Sequence, residues 1–458
     1  MVAVFALAVL QAGPDPDLWG RMLYGKAALA AGVLVLPTDV FSYTVAGAPW
    51  MDHEWGFSLL SWGLFDVGGW PAVRAYQVFM FVAAASFVVR RIAVPETSPG
   101  ILPLLALPIL PVLATGFGGP RAQTVTYVSF VLLLECLRRA RDGRARWAVV
   151  SLLPLPCWVN MHGGFLAGMG VVGVWTMTEG IRGFLSGKAA NARAGALALL
   201  AGVCVAAINP WGTGFFLPLV DAAVMPRPFV REWQATDPLS PLGIGAFGLL
   251  ILDAVWLRRC RPRAAEIAIV VVTAVLGLGH QRHMVFHAIA VGILVAPDIA
   301  ALTMRSAPWE SRPAALSAMK HGLSLAILGV ASVLVARIWA PVDDSAYPAR
   351  AMEFAETSGV KGNVVADFDW SQYVLFRGWP GMKVAFDGRY EEVYPPAEVD
   401  TFLAWSYGLP GWRQLVDDPR AEWALVVSES DRDVRMRGLS AWAEVYRDEQ
   451  AVWFRKQP

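Results

Sequence analysis

The stretch Ile101-Leu-Pro-Leu-Leu-Ala-Leu-Pro-Ile-Leu-Pro-Val-Leu-Ala-Thr-Gly-Phe117 carries no charged side chain. Its length suits the roughly 17–25 residues a helix needs to cross a bilayer core. Working outward, apolar segments recur at 1–12 (short), 71–89, 121–137, 147–160, 164–182, 193–209, 241–257, 264–280, 283–301 and 322–340. That pattern predicts an α-helical polytopic membrane protein of about eleven spans. Residues 55–68 are apolar but short, and are expected to lie along the membrane interface. Only 16% of the 458 residues are charged, against about 25% in soluble domains. Ordinary soluble protein, disordered chain and nucleic-acid binder are excluded on that ground.

Basic residues punctuate every second connection. They are Arg90 and Arg91; Arg138, Arg139, Arg141, Arg144 and Arg146; Arg182, Lys188 and Arg193; Arg258, Arg259, Arg261 and Arg263; and Arg305, Arg312 and Lys320. Cytoplasmic loops carry such an excess, so the N-terminus is expected in the cytoplasm and the C-terminus outside. Met1–Leu10 has no basic leader and reads as a short first helix rather than a signal peptide. Before residue 343 there are 25 Lys/Arg against 17 Asp/Glu; from Asp343 onward there are 13 against 20. Two domains are expected: a multi-span domain, 1–342, with a long first external loop at 13–70, and an acidic extracytoplasmic domain, 343–458. In the tail, 363–369, 383–387 and 423–428 read as strands, Tyr347–Ser358 and Pro396–Tyr407 as helices, and Glu444–Lys456 as a hairpin. That is a small α/β domain. Cys136, Cys157, Cys204 and Cys260 all lie in or beside apolar segments, so the tail has no disulfide framework.

The unusual polar residues collect on the opposite, external side. They occur in Asp15-Pro-Asp17, Asp52-His53-Glu54, Asn160-Met-His162-Gly-Gly, Asn209-Pro-Trp-Gly, Arg231-Glu232-Trp233 and His280-Gln-Arg282-His283. Carboxylates at a membrane boundary are costly unless solvated or paired. Asp17, with Asp15 as alternative, is a candidate general base for an acceptor hydroxyl, although Asp-Pro-Asp is also a good helix start. Asp39, in Pro-Thr-Asp, reads as a turn or cap. In Asp52-His53-Glu54, consecutive helical residues point different ways, so His53 and Glu54 are preferred as ligand contacts. Arg121 offers a bidentate grip on phosphate. His162 lies at a helix break before two glycines, and Arg282 and His283 lie between two spans, suited to hold a departing phosphate. His287 reads as bundle packing and His321 as uninformative. In the tail, Trp370, Gln372, Tyr373, Asp387 and Arg389 either meet an acceptor glycan or pack.

Read in order, these motifs resemble the GT-C glycosyltransferases of bacteria. The resemblance runs through Asp15-Pro-Asp-Leu-Trp19, Gly25, Leu36-Pro-Thr-Asp-Val-Phe-Ser-Tyr-Thr44, Trp50-Met-Asp-His-Glu-Trp55, Arg121-Ala-Gln123, Asn160-Met-His-Gly-Gly164, Asn209-Pro-Trp-Gly212, Arg231-Glu-Trp233, Arg282-His283, Gly362-Asn363, Trp370-Ser-Gln-Tyr373 and Asp387-Gly-Arg389. It implies a multi-span fold, an Asp after the first span as base, and inverting transfer of a sugar from a polyprenyl-phosphate donor to an extracytoplasmic glycan, lipid or protein. It also implies a location in the bacterial inner membrane. Gly20-Arg21 and Ala122 depart from the family's Trp-His and Pro, and Arg21 stands where it would take over phosphate or acceptor contacts. A divalent metal (Mg or Mn), if one binds, would use Asp15, Asp17 and Glu54.

Three other classes compete. A lipid-diphosphate ligase or polymerase would use the external Arg and His without needing a first-loop Asp. A scaffold that has lost catalysis is compatible with Gly20 and Arg21. A transporter usually shows repeats and mid-span charges, and this sequence shows neither.

Overall fold

The computed structural model describes residues 2–10, 13–93, 101–140, 144–187, 190–224, 231–303, 333–340, 343 and 345–458. The chain divides into two compact units, one of Met1–Ala12 with Trp70–Ala340, the other of Gly13–Gly69 with Pro341–Pro458. The boundary cuts the long helix Trp55–Ile92 at Gly69, whose φ of 57° and ψ of −152° break the helical path. Glycine adopts that conformation at little steric cost.

The first unit is helical. Among the described residues, Trp55–Ile92, Pro241–Arg259 and Gln281–Leu302 are long and apolar enough to cross a membrane. Ile101–Thr115, Ala190–Ala206 and Ala264–Gly279 are apolar but shorter. The stretch 147–160 forms two short helices, Arg146–Val150 and Leu155–Met161, rather than one span. Pro154 and Pro156 interrupt it, because a proline lacks the N–H that continues a helix. Most of the expected span at 322–340, and His321, lie outside the described residues. Large apolar side chains such as Leu104, Leu107, Phe247 and Val275 point outward, each more than 60% exposed. An apolar belt of this kind suits lipid rather than water. Close helix contacts use small residues: a Cβ on Gly195 would lie 2.2 Å from Thr176 Oγ1. At the basic helix ends Glu135 binds both Arg91 (2.8 Å) and Arg139 (2.7 Å).

The second unit joins the first loop to the tail. Its sheet comprises β1 (Gly362–Ala366), β2 (Met382–Val384), β3 (Trp423–Val427), β4 (Trp442–Arg447) and β5 (Ala451–Lys456), in the order β2-β1-β3-β5-β4. The β1–β2 and β1–β3 pairs are parallel, and β5 runs antiparallel to β3 and β4. The expected strands and terminal hairpin are present. The helix Phe368–Gly378 between β1 and β2 is an addition: Trp370-Ser-Gln-Tyr373 lies in it. The first loop extends the sheet edge, with Tyr43 N–H donating to Val384 O and Val384 N–H to Phe41 O. Helices Pro16–Ala30 and 55–68 approach so closely at Gly25 that a Cβ there would lie 2.1 Å from the Ser58 carbonyl oxygen.

Candidate functional site

Helix Pro16–Ala30 begins where a helix start was expected. Asp15 is its cap, its carboxylate accepting from Asp17 N–H at 3.1 Å, and Pro16 follows. Asp15 is buried and Asp17 is exposed in the first turn, where the helix dipole favours a negative charge. The tail frames this turn. Tyr347 donates its hydroxyl to Pro14 O at 2.7 Å, and Trp19 meets Tyr373 edge-on with centroids 4.8 Å apart. With its amide oriented so that both ends are satisfied, Gln372 donates to Pro16 O at 2.8 Å and accepts from Gly388 N–H at 3.2 Å. A Cβ at Gly388 would lie 2.9 Å from Asp17 Oδ1.

One turn along, Arg21 enters a charge network. It binds Asp52 at 2.5 Å and Glu54 at 2.9 Å, with Glu392 at 4.0 Å. His53 pairs with Glu392 at 3.2 Å. The expectation that one helix would splay Asp52, His53 and Glu54 apart fails. The helix starts only at Trp55, so the three sit in the preceding turn and all enter one cluster. Asp52 organises it, taking hydrogen bonds from Arg21, Glu54 N–H and Ser58 Oγ. Burial would lower the His53 pKa, but the Glu392 carboxylate outweighs that and raises it to about 9. Burial likewise opposes ionisation of Glu392, yet His53 and Arg21 bring it down to about 2. Burial raises Asp52, and Arg21 offsets only part of that. Sequence reasoning missed Glu392. Its partner His53 lies in the distant first loop, and Tyr390-Glu-Glu carries no local signature.

Asp39 and the Asp387-Gly-Arg389 turn form a third, fully buried cluster. Arg389 binds Asp39 at 2.5 Å and Asp387 at 2.7 Å, with all three side chains 0% exposed. Its guanidinium lies 4.9 Å from the Trp50 ring centroid and 5.2 Å from that of Phe41. Asp39 also accepts from Phe41 N–H and Ser42 N–H and Oγ, the turn role expected of it. Asp387 and Arg389 therefore pack the unit's interior.

The helical unit holds a separate centre. Glu232 bridges two arginines, Arg121 at 2.9 Å and Arg282 at 3.4 Å. Arg282 stacks on Trp233 with 4.6 Å to the centroid. Burial tends to raise the Glu232 pKa, but Arg282 and Arg121 more than reverse it. His162 is close enough to add to that field. Its Nδ1 accepts from Gly164 N–H at 2.9 Å and contacts Thr126 Oγ1 at 2.8 Å. Thr126 Oγ1 in turn accepts from Trp158 Nε1. Among the described residues His283 Nδ1 has no hydrogen-bond partner; it is buried against His280 and Trp233. Asn160 and Asn209 hold local backbone, binding Ile208 O and Gly212 O. His287 is buried beside Asp253 at 3.2 Å. In the sequence Glu232 stands out only as part of Arg-Glu-Trp. Its role emerges when two distant arginines converge on it.

Among the described residues no group of three or more His, Cys, Asp or Glu side chains is placed to hold a metal ion. Glu54 faces Arg21 and Asp15 caps a helix, so the expected donor set Asp15, Asp17 and Glu54 is not assembled.

No protein-family model and no curated protein matches the chain. Solved structures do. Arabinofuranosyltransferase AftD from Mycobacteria aligns over 100% of this chain and 40% of its own, at 13% identity and a TM-score of 0.55. The archaeal oligosaccharyltransferase AglB from Archaeoglobus fulgidus, in complex with an inhibitory peptide and a dolichol-phosphate, aligns over 100% and 73%, at 10% and 0.54. ArnT from Cupriavidus metallidurans, bound to undecaprenyl phosphate, aligns over 99% and 96%, at 15% and 0.51. This chain thus spans less than half the length of the mycobacterial protein. The neighbours are GT-C glycosyltransferases, and the fold of this chain is theirs.

Proposed function

We propose that this protein transfers a sugar, with inversion, from a polyprenyl-phosphate donor to an extracytoplasmic acceptor, working in the bacterial inner membrane. The observation that carries the reading is the Arg121–Glu232–Arg282 clasp, in which two guanidinia hold the two oxygens of one anion. That arrangement suits the oxygens of a phosphate. The GT-C fold supports it, since one neighbour of that fold is bound to undecaprenyl phosphate and another to a dolichol-phosphate.

In this reading Asp17 accepts the proton of the acceptor hydroxyl. The freed oxygen attacks the anomeric carbon as the bond from that carbon to the phosphate oxygen breaks. Polyprenyl phosphate departs with both bonding electrons, and Arg121 and Arg282 stabilise its growing charge. His162 and His283 line the same region. Arg21, His53 and Glu54 shape the first loop through their mutual pairs and present it to the acceptor.

The test is binding of undecaprenyl phosphate to the detergent-purified chain. Wild type binds, and Arg121→Gln and Arg282→Gln each weaken binding at least tenfold. Equal binding by all three proteins defeats the assignment and favours a ligase or scaffold whose lipid sits elsewhere.

A further inference from the structure

Glu232 is held in place by more than its two arginines. His280 Nδ1 donates to Trp233 O at 2.7 Å, Gln281 N–H to Gln234 O at 3.0 Å, and Thr236 Oγ1 to Gly277 O at 2.8 Å. These bonds pin the turn Arg231–Trp233 to the end of helix Ala264–Gly279, from which Arg282 follows. A carboxylate so fixed within an anion-binding pair must influence what that pair binds.

Charge sets the direction. Arg121 and Arg282 contribute +2 and Glu232 −1, leaving +1. A sugar phosphodiester carries one negative charge and balances the site. The phosphomonoester left after transfer carries about −1.5 to −2 near pH 7, and meets an excess of negative charge. We propose that Glu232 is a specificity-determining residue: it pre-sets the Arg121–Arg282 pair and tunes the pocket to accept a monoanionic phosphodiester and disfavour the dianionic phosphomonoester. Glu232 thereby speeds product departure and limits product inhibition. This inference rests on the phosphate reading above.

The test compares farnesyl phosphate with its methyl diester as soluble probes for the full chain in detergent at pH 7.5. Glu232→Gln is close in shape and removes the charge. It is expected to tighten farnesyl phosphate about fivefold, equivalent to ~1 kcal/mol, and the diester about twofold or less. Glu232→Asp keeps the charge and the wild-type preference, which guards against a general effect of substitution. If Glu232→Gln leaves the ratio of the two affinities unchanged, while Arg282→Gln still weakens binding at least tenfold, Glu232 is only a prop and the inference falls with the phosphate site intact. If neither probe binds wild type or Glu232→Gln, the inference and the phosphate reading fall together.

Discussion

Replacing Arg389 with Leu should sharply destabilise the loop-and-tail unit. Arg389 is 0% exposed and is bracketed by Asp39 at 2.5 Å and Asp387 at 2.7 Å. Removing it leaves two carboxylates in a dry, aromatic-walled interior. Breaking a buried ion pair by deleting one partner costs about 3–5 kcal/mol. For a domain of about 150–250 residues each kcal/mol shifts the melting midpoint by about 2–4 °C. A fall of about 10 °C follows from those two figures. Tryptophan fluorescence during heating reads it, because Trp50, Trp379 and Trp405 belong to this unit. The second arm is Arg389→Leu with Asp387→Asn. Neutralising one stranded carboxylate should recover part of the loss. A shift of less than about 2 °C in Arg389→Leu, or further loss in the double variant, refutes the assignment of Arg389 as an interior pin.

Three further outcomes are expected. His53 is raised to about 9, so its pair with Glu392 contributes fully below about pH 6.5 and is lost as pH rises through about 9; Glu392, lowered to about 2, contributes above about pH 4.5 and loses it as pH falls towards 2. Melting scans from about pH 6 to 10 should show an alkaline decline in wild type that His53→Gln flattens, and identical profiles would contradict the pair. Gly25→Ala places a methyl group 2.1 Å from the Ser58 carbonyl oxygen, costing about 1–3 kcal/mol; an unchanged melting midpoint would show that the two helices do not touch there. Asp15→Ala removes a helix cap and about 1 kcal/mol, whereas Asp15→Asn keeps the cap; a loss of turnover in Asp15→Asn without loss of stability would move the base from Asp17 to Asp15.

Much of the fold was legible in the sequence because its signals are local. Apolar runs such as 101–117 announce their helices through length and hydropathy. Asp15-Pro-Asp announces a capped helix start, and the short apolar, valine-bearing run at 423–428 announces β3. The partners of those residues were not legible. Arg389 reads as a strand-to-turn residue until the fold brings Asp39 from the first loop against it. Glu392 and Glu232 lack any motif, because what defines them is a cation placed by a remote segment. The grouping of residues 13–69 with the tail was hidden for the same reason: hydropathy assigns each segment to water or lipid, but does not say which watery segments pair. Helix Phe368–Gly378 was missed because Asp367-Phe-Asp follows the apolar run of β1 with a polar–apolar–polar pattern that reads as more strand.

Turnover decides whether this chain is a sugar transferase with Asp17 as its base. The purified chain, in detergent with native lipids, is offered a panel of polyprenyl-phosphate sugars with candidate acceptors, and released polyprenyl phosphate is measured for wild type and Asp17→Asn. Removing a general base costs about 10²–10⁴-fold in rate. Wild type should therefore release lipid phosphate from at least one donor, with a loss of that size in Asp17→Asn at an unchanged melting midpoint. Undiminished release by Asp17→Asn would contradict the assignment of the base, and with it the mechanism.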